Sequence, residues 1–132
     1  MATSMFSNNL SDHVYMAASK VLNGKSDGQY NVIRIPRFAF VENVYLWVST
    51  VFAGGAPTMT VGFEGNSEVA VANYFMTDTE AAPTVAGFKK ATDLAGFNGK
   101  YFGDGVGIIT CTIAGTPTSG ICRFFMSYSI IH

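Results

Sequence analysis

The chain is nearly devoid of the side chains that build metal centres and nucleophilic sites. Among 132 residues it has two cysteines, Cys111 and Cys122, and two histidines, His13 and His132. The cysteine spacing fits no zinc motif, and the histidines stand far apart, so no metal ligand and no cofactor is expected. Two cysteines make no disulfide framework; both are expected to be reduced, as small buried apolar groups. Charge is scarce as well. Asp, Glu, Lys and Arg make up 13% of the chain, about half the usual share of roughly 25%. Eight basic and nine acidic residues leave a net charge of −1 with no run of one sign, which argues against nucleic-acid binding. No apolar run approaches the about 20 residues of a membrane helix. The first nine residues lack the basic and apolar regions of a secretory signal, so synthesis in a cytoplasm is expected.

Catalytic equipment is equally thin. Gly103-Asp104-Gly105-Val106-Gly107 is rich in glycine, yet it lacks the following Lys and Ser/Thr of a phosphate loop and reads as a turn into a strand. The acid pairs Asp78 and Glu80, or Asp93 and Asp104, lie in polar turn-like segments, where carboxylates ordinarily solvate a loop. Neither histidine is placed to activate a nucleophile. The chain is therefore expected to have no catalytic residues and not to be an enzyme.

What is present is apolar: 48% hydrophobic and 14% aromatic residues. A chain of this length forms one domain of ordinary size and buries a core without staples. So few charges cover a monomer's surface poorly, and apolar surface buried against another protein is expected.

Residues 1–10 read as a polar arm. Over 11–22, Ser11 can cap a helix, and Val14, Ala17, Ala18, Val21 and Leu22 form one apolar stripe at helical spacing, closed by Asn23-Gly24. The pattern predicts a short amphipathic helix that must dock on something, because three turns are not stable alone. From residue 29 onward the punctuation is that of strands and turns, which divides the chain into an arm and helix (1–28) and a β-domain (29–132). Strands are predicted at 29–35, 38–52 with a bulge near Glu42-Asn43, 58–63, 69–76, near 84–88, 100–102, 106–114 and 119–131. About seven or eight strands spaced by frequent turns predict an all-β fold, an antiparallel β-sandwich or jelly roll.

Two segments invite pairing as hairpins. Residues 38–52 lead through Ala53-Gly54-Gly55-Ala56-Pro57 into 58–63. At the C-terminus, pairing Ala114 with Ser119 sets Cys111 opposite Cys122 and Ile109 opposite Phe124. Ile113, Met126 and Tyr128 then complete one apolar core face, with Arg123 and Phe125 on the mixed face behind it. In the long strand Tyr45 and Trp47 face one way while Leu46, Val48 and Phe52 face the other. A sandwich strand needs only one buried face. Val14, Ala18, Val21 and Leu22 on the helix stripe, with Tyr45 and Trp47, are thus the candidate partner contacts.

The run Met16-Ala17-Ala18-Ser19-Lys20-Val21-Leu22-Asn23-Gly24-Lys25-Ser26-Asp27-Gly28-Gln29 resembles a segment of small virion proteins of tailed bacteriophages. So do Ile33-Arg34-Ile35-Pro36, the strands Val44–Phe52 and Thr58-Met59-Thr60-Val61-Gly62, and the closing Gly120–Tyr128. The likeness is to β-sandwich decoration, or cement, proteins of the head. It implies a homotrimer on the capsid surface of the virion, bound to the major capsid protein, with no nucleic acid or membrane as partner. Related sandwiches occur in tail and fibre components, so a lectin-like module recognising host glycans is the alternative.

Overall fold

Alternation of apolar and polar residues produces strands here, and two sheets close over their apolar faces. In the computed structural model, which describes residues 14–91 and 98–131, the elements run in the order β1 (Tyr15–Ala18), β2 (Leu22–Asn23), β3 (Gly28–Ile35), β4 (Ala39–Ala53), β5 (Thr58–Gly65), β6 (Val71–Met76), α1 (Asp78–Ala81), β7 (Gly87–Lys90), β8 (Lys100–Tyr101), β9 (Gly107–Ala114) and β10 (Ser119–Ile130). Sheet A has the order β1-β10-β4-β7, with β2 also on β10 and β8 also on β4; sheet B has the order β3-β9-β5-β6. Every pairing is antiparallel. The fold is an all-β antiparallel sandwich of the jelly-roll type. The core between the sheets holds Val44, Leu46 and Val48 of β4, Met59 and Val61 of β5, Ile109 to Ile113 of β9 at alternate positions, and Phe124 and Met126 of β10.

Both expected hairpins are corrected. β4 and β5 lie in different sheets, and so do β9 and β10. β4 pairs with β10 (Leu46 opposite Phe124, Ala53 opposite Ser119), and β5 pairs with β9 (Thr58 opposite Ala114, Met59 opposite Ile113). The two connecting loops continue this pairing. Thr118 N donates to Ala53 O at 2.8 Å and Ala56 N donates to Gly115 O at 2.9 Å. Residues 39–65 and 107–130 thus form one long antiparallel ribbon that turns a corner from sheet A to sheet B, as strands switching sheets do. Glycine makes the corner possible. A Cβ on Gly115 would stand 1.8 Å from the carbonyl oxygen of Ala56, and one on Gly55 would stand 2.0 Å from that of Gly115. Cys111 therefore sits between Tyr30 and Val61 in sheet B, while Cys122 sits between Leu22 and Val48 in sheet A. The apolar core face read from the sequence is nonetheless buried: Ile109, Cys111, Ile113, Cys122, Phe124 and Met126 are all inside, and Tyr128 packs against them.

The predicted helix over 11–22 is also corrected. Residues 11–13, and the polar arm before them, lie outside the described residues. From Tyr15 the chain is an edge strand on β10, with Ala17 opposite Met126 and Ala18 opposite Phe125. Ser19 extends the pairing: its N donates to Phe124 O at 2.9 Å, and its hydroxyl accepts from Phe124 N at 2.9 Å. Leu22 then pairs with Cys122, so Lys20 and Val21 together face the single residue Arg123, a bulge. A helical stripe lost to a strand because the backbone of β10 needs partners along its outer edge, a demand stronger than local propensity. The expected bulge in β4 is present: the pairing with β10 shifts between Val41 and Asn43. Asn43 is buried there, its Oδ1 accepting from Val44 N at 2.9 Å and Ala91 N at 3.2 Å.

After β6 the chain forms α1 and then β7, which takes the place of the strand expected near 84–88. Thr77 caps α1 in a reciprocal capping box with Glu80, the arrangement that Ser/Thr followed three residues later by Glu favours. Asp78 Oδ1 accepts from Met59 N at 2.9 Å, tying the turn to β5. At the far end of the sandwich, Lys100 Nζ lies 5.2–5.5 Å from the ring centres of Phe63, Tyr74 and Phe102 and 2.9 Å from Glu68 Oε1, closing the rim.

Candidate docking surface

On the outer face of sheet A the strand pleat lines up large side chains from four neighbouring strands. Tyr45 and Trp47 of β4 stand opposite Phe125 and Arg123 of β10, and opposite Lys90 and Phe88 of β7. Across β10, Ala18 faces Phe125 and Met16 faces Ser127. Ser127 is buried and Tyr45 and Phe125 are half-buried, while the other large side chains stand open. Met16 is 62% exposed, Phe88 68% and Trp47 37%. The Trp47 and Phe88 rings lie 4.6 Å apart between centres, and Phe88 and Phe125 lie 6.4 Å apart. Three strand spacings make the face roughly 14 Å wide from β1 to β7. It holds a depression of about 500 Å³ lined by Met16, Tyr45, Phe88, Lys89, Lys90 and Phe125.

Among the described residues, the charged groups lining this depression are Lys89 and Lys90, with Arg123, beside Trp47, next to it. Arg123 Nε donates to Ser19 O at 2.8 Å, and its guanidinium lies 5.3 Å from the centre of the Phe125 ring. Lys89 points toward the edge of the core, where its Nζ donates to Ala82 O at 3.2 Å and to Val85 O; burial lowers its pKa. Lys90 is exposed. The ion pairs among the described residues, Arg37 with Asp104 and Lys100 with Glu68, involve none of these three. The acid on the same strand, Glu42, lies three residues along β4 from Tyr45 and accepts from Ser129 Oγ at 3.1 Å.

Of the contacts expected from the sequence, Tyr45, Trp47 and Ala18 belong to this face. Val14, 58% exposed, directly precedes β1, and Val21, 56% exposed, sits in the bulge opposite Arg123. Leu22 does not belong: it is 6% exposed and packs in the core. Met16, Phe88, Phe125 and Arg123 are added by the structure. Phe125 had a visible signal, alternation with the core residues Phe124 and Met126. Phe88 ends the strand expected near 84–88, but nothing in the sequence sets that strand beside Trp47.

The outer face of sheet B differs in character. It presents Gln29, Asn31 and Arg34 from β3, Thr112 and Ile108 from β9, and Thr60 and Glu64 from β5, with Thr110 buried among them and a smaller depression of about 340 Å³ beside Asn31, Arg34 and Ile108. Thr112 Oγ1 is buried without a hydrogen-bond partner among the described residues. Inside the sandwich, burial raises the pKa of both thiols, that of Cys122 to about 12. Among the described residues no three His, Cys, Asp or Glu side chains cluster to hold a metal, and no helix is long and apolar enough to cross a membrane.

No protein-family model and no curated protein matches the chain by sequence. Among solved structures, the fold is shared with chains from three bacteriophage capsids. The acid-stable capsid of Helicobacter pylori bacteriophage KHP30 contains a chain 18% identical, with a TM-score of 0.64, covering 90% of this chain and 88% of that one. A chain in the capsid asymmetric unit of cyanophage Pam1 is 14% identical with a TM-score of 0.69, covering 99% of this chain and 94% of that one. In the capsid of Ralstonia phage GP4 the values are 14%, 0.66, 98% and 92%. At these identities the likeness is one of fold.

Proposed function

We propose that the chain is a structural protein of a bacteriophage virion, and specifically a decoration protein that binds the assembled head and cements it. The observation that carries this reading is the two-way coverage of the structural matches. A 132-residue chain spans 88–94% of each matched chain, so the capsid chains it is similar to are themselves small single sandwiches, not a fragment of a large shell subunit. That size suits an accessory protein seated on a shell. The chain works without chemistry: a rigid sandwich that binds the assembled form and not its separated parts stabilises the assembly by mass action. Its partner on this reading is the major capsid protein, its location the capsid surface, and its active form a homotrimer, as the sequence resemblance implies and as closed symmetry allows.

The glycan-binding alternative gains no support from the site. Sugar recognition by exposed aromatic rings calls for acids or amides beside them, whereas Trp47 and Tyr45 are flanked by Lys90 and Arg123. Copy number separates the two readings. Quantitative protein analysis of purified virions is expected to find this chain at a level comparable with the shell subunit. A few copies per particle would place it at a tail or fibre and overturn the cement role.

A further inference from the structure

Resting on that reading, we infer that the outer face of sheet A is the surface that seats on the head, and that its counterpart there presents apolar side chains flanked by carboxylates. The face lines up aromatic rings from three strands beside Met16, with Met16, Phe88 and Trp47 exposed, whereas the outer face of sheet B mixes Gln29, Asn31, Thr60 and Thr112 with Arg34, Glu64 and Ile108. The face with the rings is the side that gains more from leaving water.

Charge selects the occupant. Lys90 and Arg123 border the rings, and among the described residues neither is in an ion pair. A second copy packed face to face about a two-fold axis would bring these cations together, and like charges juxtaposed across an interface oppose it. Carboxylates on a different protein would be steered toward them instead. Arg123 is already held by Ser19 O and the Phe125 ring, so little side-chain freedom remains to be lost on binding.

The test titrates four proteins onto particles that lack this chain, with light scattering and melting temperature measured in parallel. These are the wild type, the double variant Lys90→Glu/Arg123→Glu, Phe88→Ser, and Asn31→Glu on the outer face of sheet B. The charge-reversed double variant is expected to need at least about tenfold more protein for half-saturation in about 50 mM salt, a gap that narrows at about 500 mM as charges are screened. Phe88→Ser is expected to lose at least about tenfold at both salts, since its loss is one of apolar area. Asn31→Glu is expected to bind like the wild type. Phe88, Lys90, Arg123 and Asn31 are exposed, and the melting temperature shows which variants stay folded. Should the double variant lose stability through the Arg123 bond to Ser19 O, Lys90→Glu alone decides; should Phe88→Ser unfold, the charge variants decide. Equal binding by the variants overturns the inference, as does weakening by Asn31→Glu alone. A changed oligomeric state in Phe88→Ser assigns the face to contacts between copies, which also overturns it. If the wild type itself does not bind, it is the cement reading that fails.

Discussion

Gly115 shows how one absent methyl group sets the path of a chain. Its φ is +86° and its neighbour across the corner is the Ala56 carbonyl, so alanine there would be strained in backbone and would collide with an oxygen. Gly115→Ala is expected to cost about 3 kcal/mol or more, read as a drop in melting temperature of about 10 °C. An unchanged melting temperature would mean that the corner is not built as described. The thiols make a second prediction. Because burial raises their pKa, the folded state holds both protonated while the unfolded chain ionises near the ordinary value of 9.0. Stability is therefore full below pH 9 and is lost as pH rises toward the folded value, about 12 for Cys122. At pH 10 the loss is about 1.4 kcal/mol per thiol. Denaturant titrations between pH 8 and 10 are expected to show a shallower decline for Cys122→Ala than for the wild type. Thiol labelling of the native protein at pH 8 is expected to be slow.

Among the elements, the N-terminal segment changes most between sequence and structure. The stripe of Val14, Ala17, Ala18, Val21 and Leu22 satisfies a helix, yet the same residues form an edge strand with a bulge, with Ala17 and Leu22 inward. The choice depends on the open edge of β10, a hundred residues away, to which local patterning is blind. The hairpins failed for a related reason. Glycine-rich turns after β4 and β9 announce that the chain reverses, but whether it reverses within a sheet or across the sandwich is decided by the two loops pairing with each other. Alternation within each strand separates Ile109, Cys111, Phe124 and Met126 from their neighbours whichever strands pair, so the core face read from the wrong hairpin is still the buried one. Of the docking face, Tyr45 and Trp47 were legible because they stand on a strand with two apolar sides. The rest came from bringing β1 and β7 to the same sheet. One consequence is specific. Leu22→Asp buries a carboxylate in the core and is expected to cost about 3 kcal/mol or more, so it lowers the melting temperature before it affects binding. Removing residues 1–23 strips β1 and β2 from β10, including both bonds of Ser19 to Phe124. It is expected to destabilise the sandwich sharply, with hydrogen exchange rising along β10. A truncated protein as stable as the full chain would contradict the edge-strand assignment.

At the scale of the whole molecule, a chain poor in charge folds into a sandwich with two unlike outer faces, aromatic and cationic on sheet A, mixed polar on sheet B. Low charge content in the sequence already called for apolar surface to be covered by another protein; the identity of that protein depends on geometry that no local pattern encodes. On the proposed cement role, binding confined to the assembled head would stabilise it by mass action, by about 2.7 kcal/mol per site at a hundredfold excess over the dissociation constant. Many sites acting together then move a particle's melting behaviour measurably. The decisive measurement is the temperature at which particles lacking this protein release their genome, recorded with and without the purified chain added back. A release temperature that rises with added protein and levels off once the particle surface is saturated is the predicted result. A release temperature unchanged at saturating protein would contradict the cementing role.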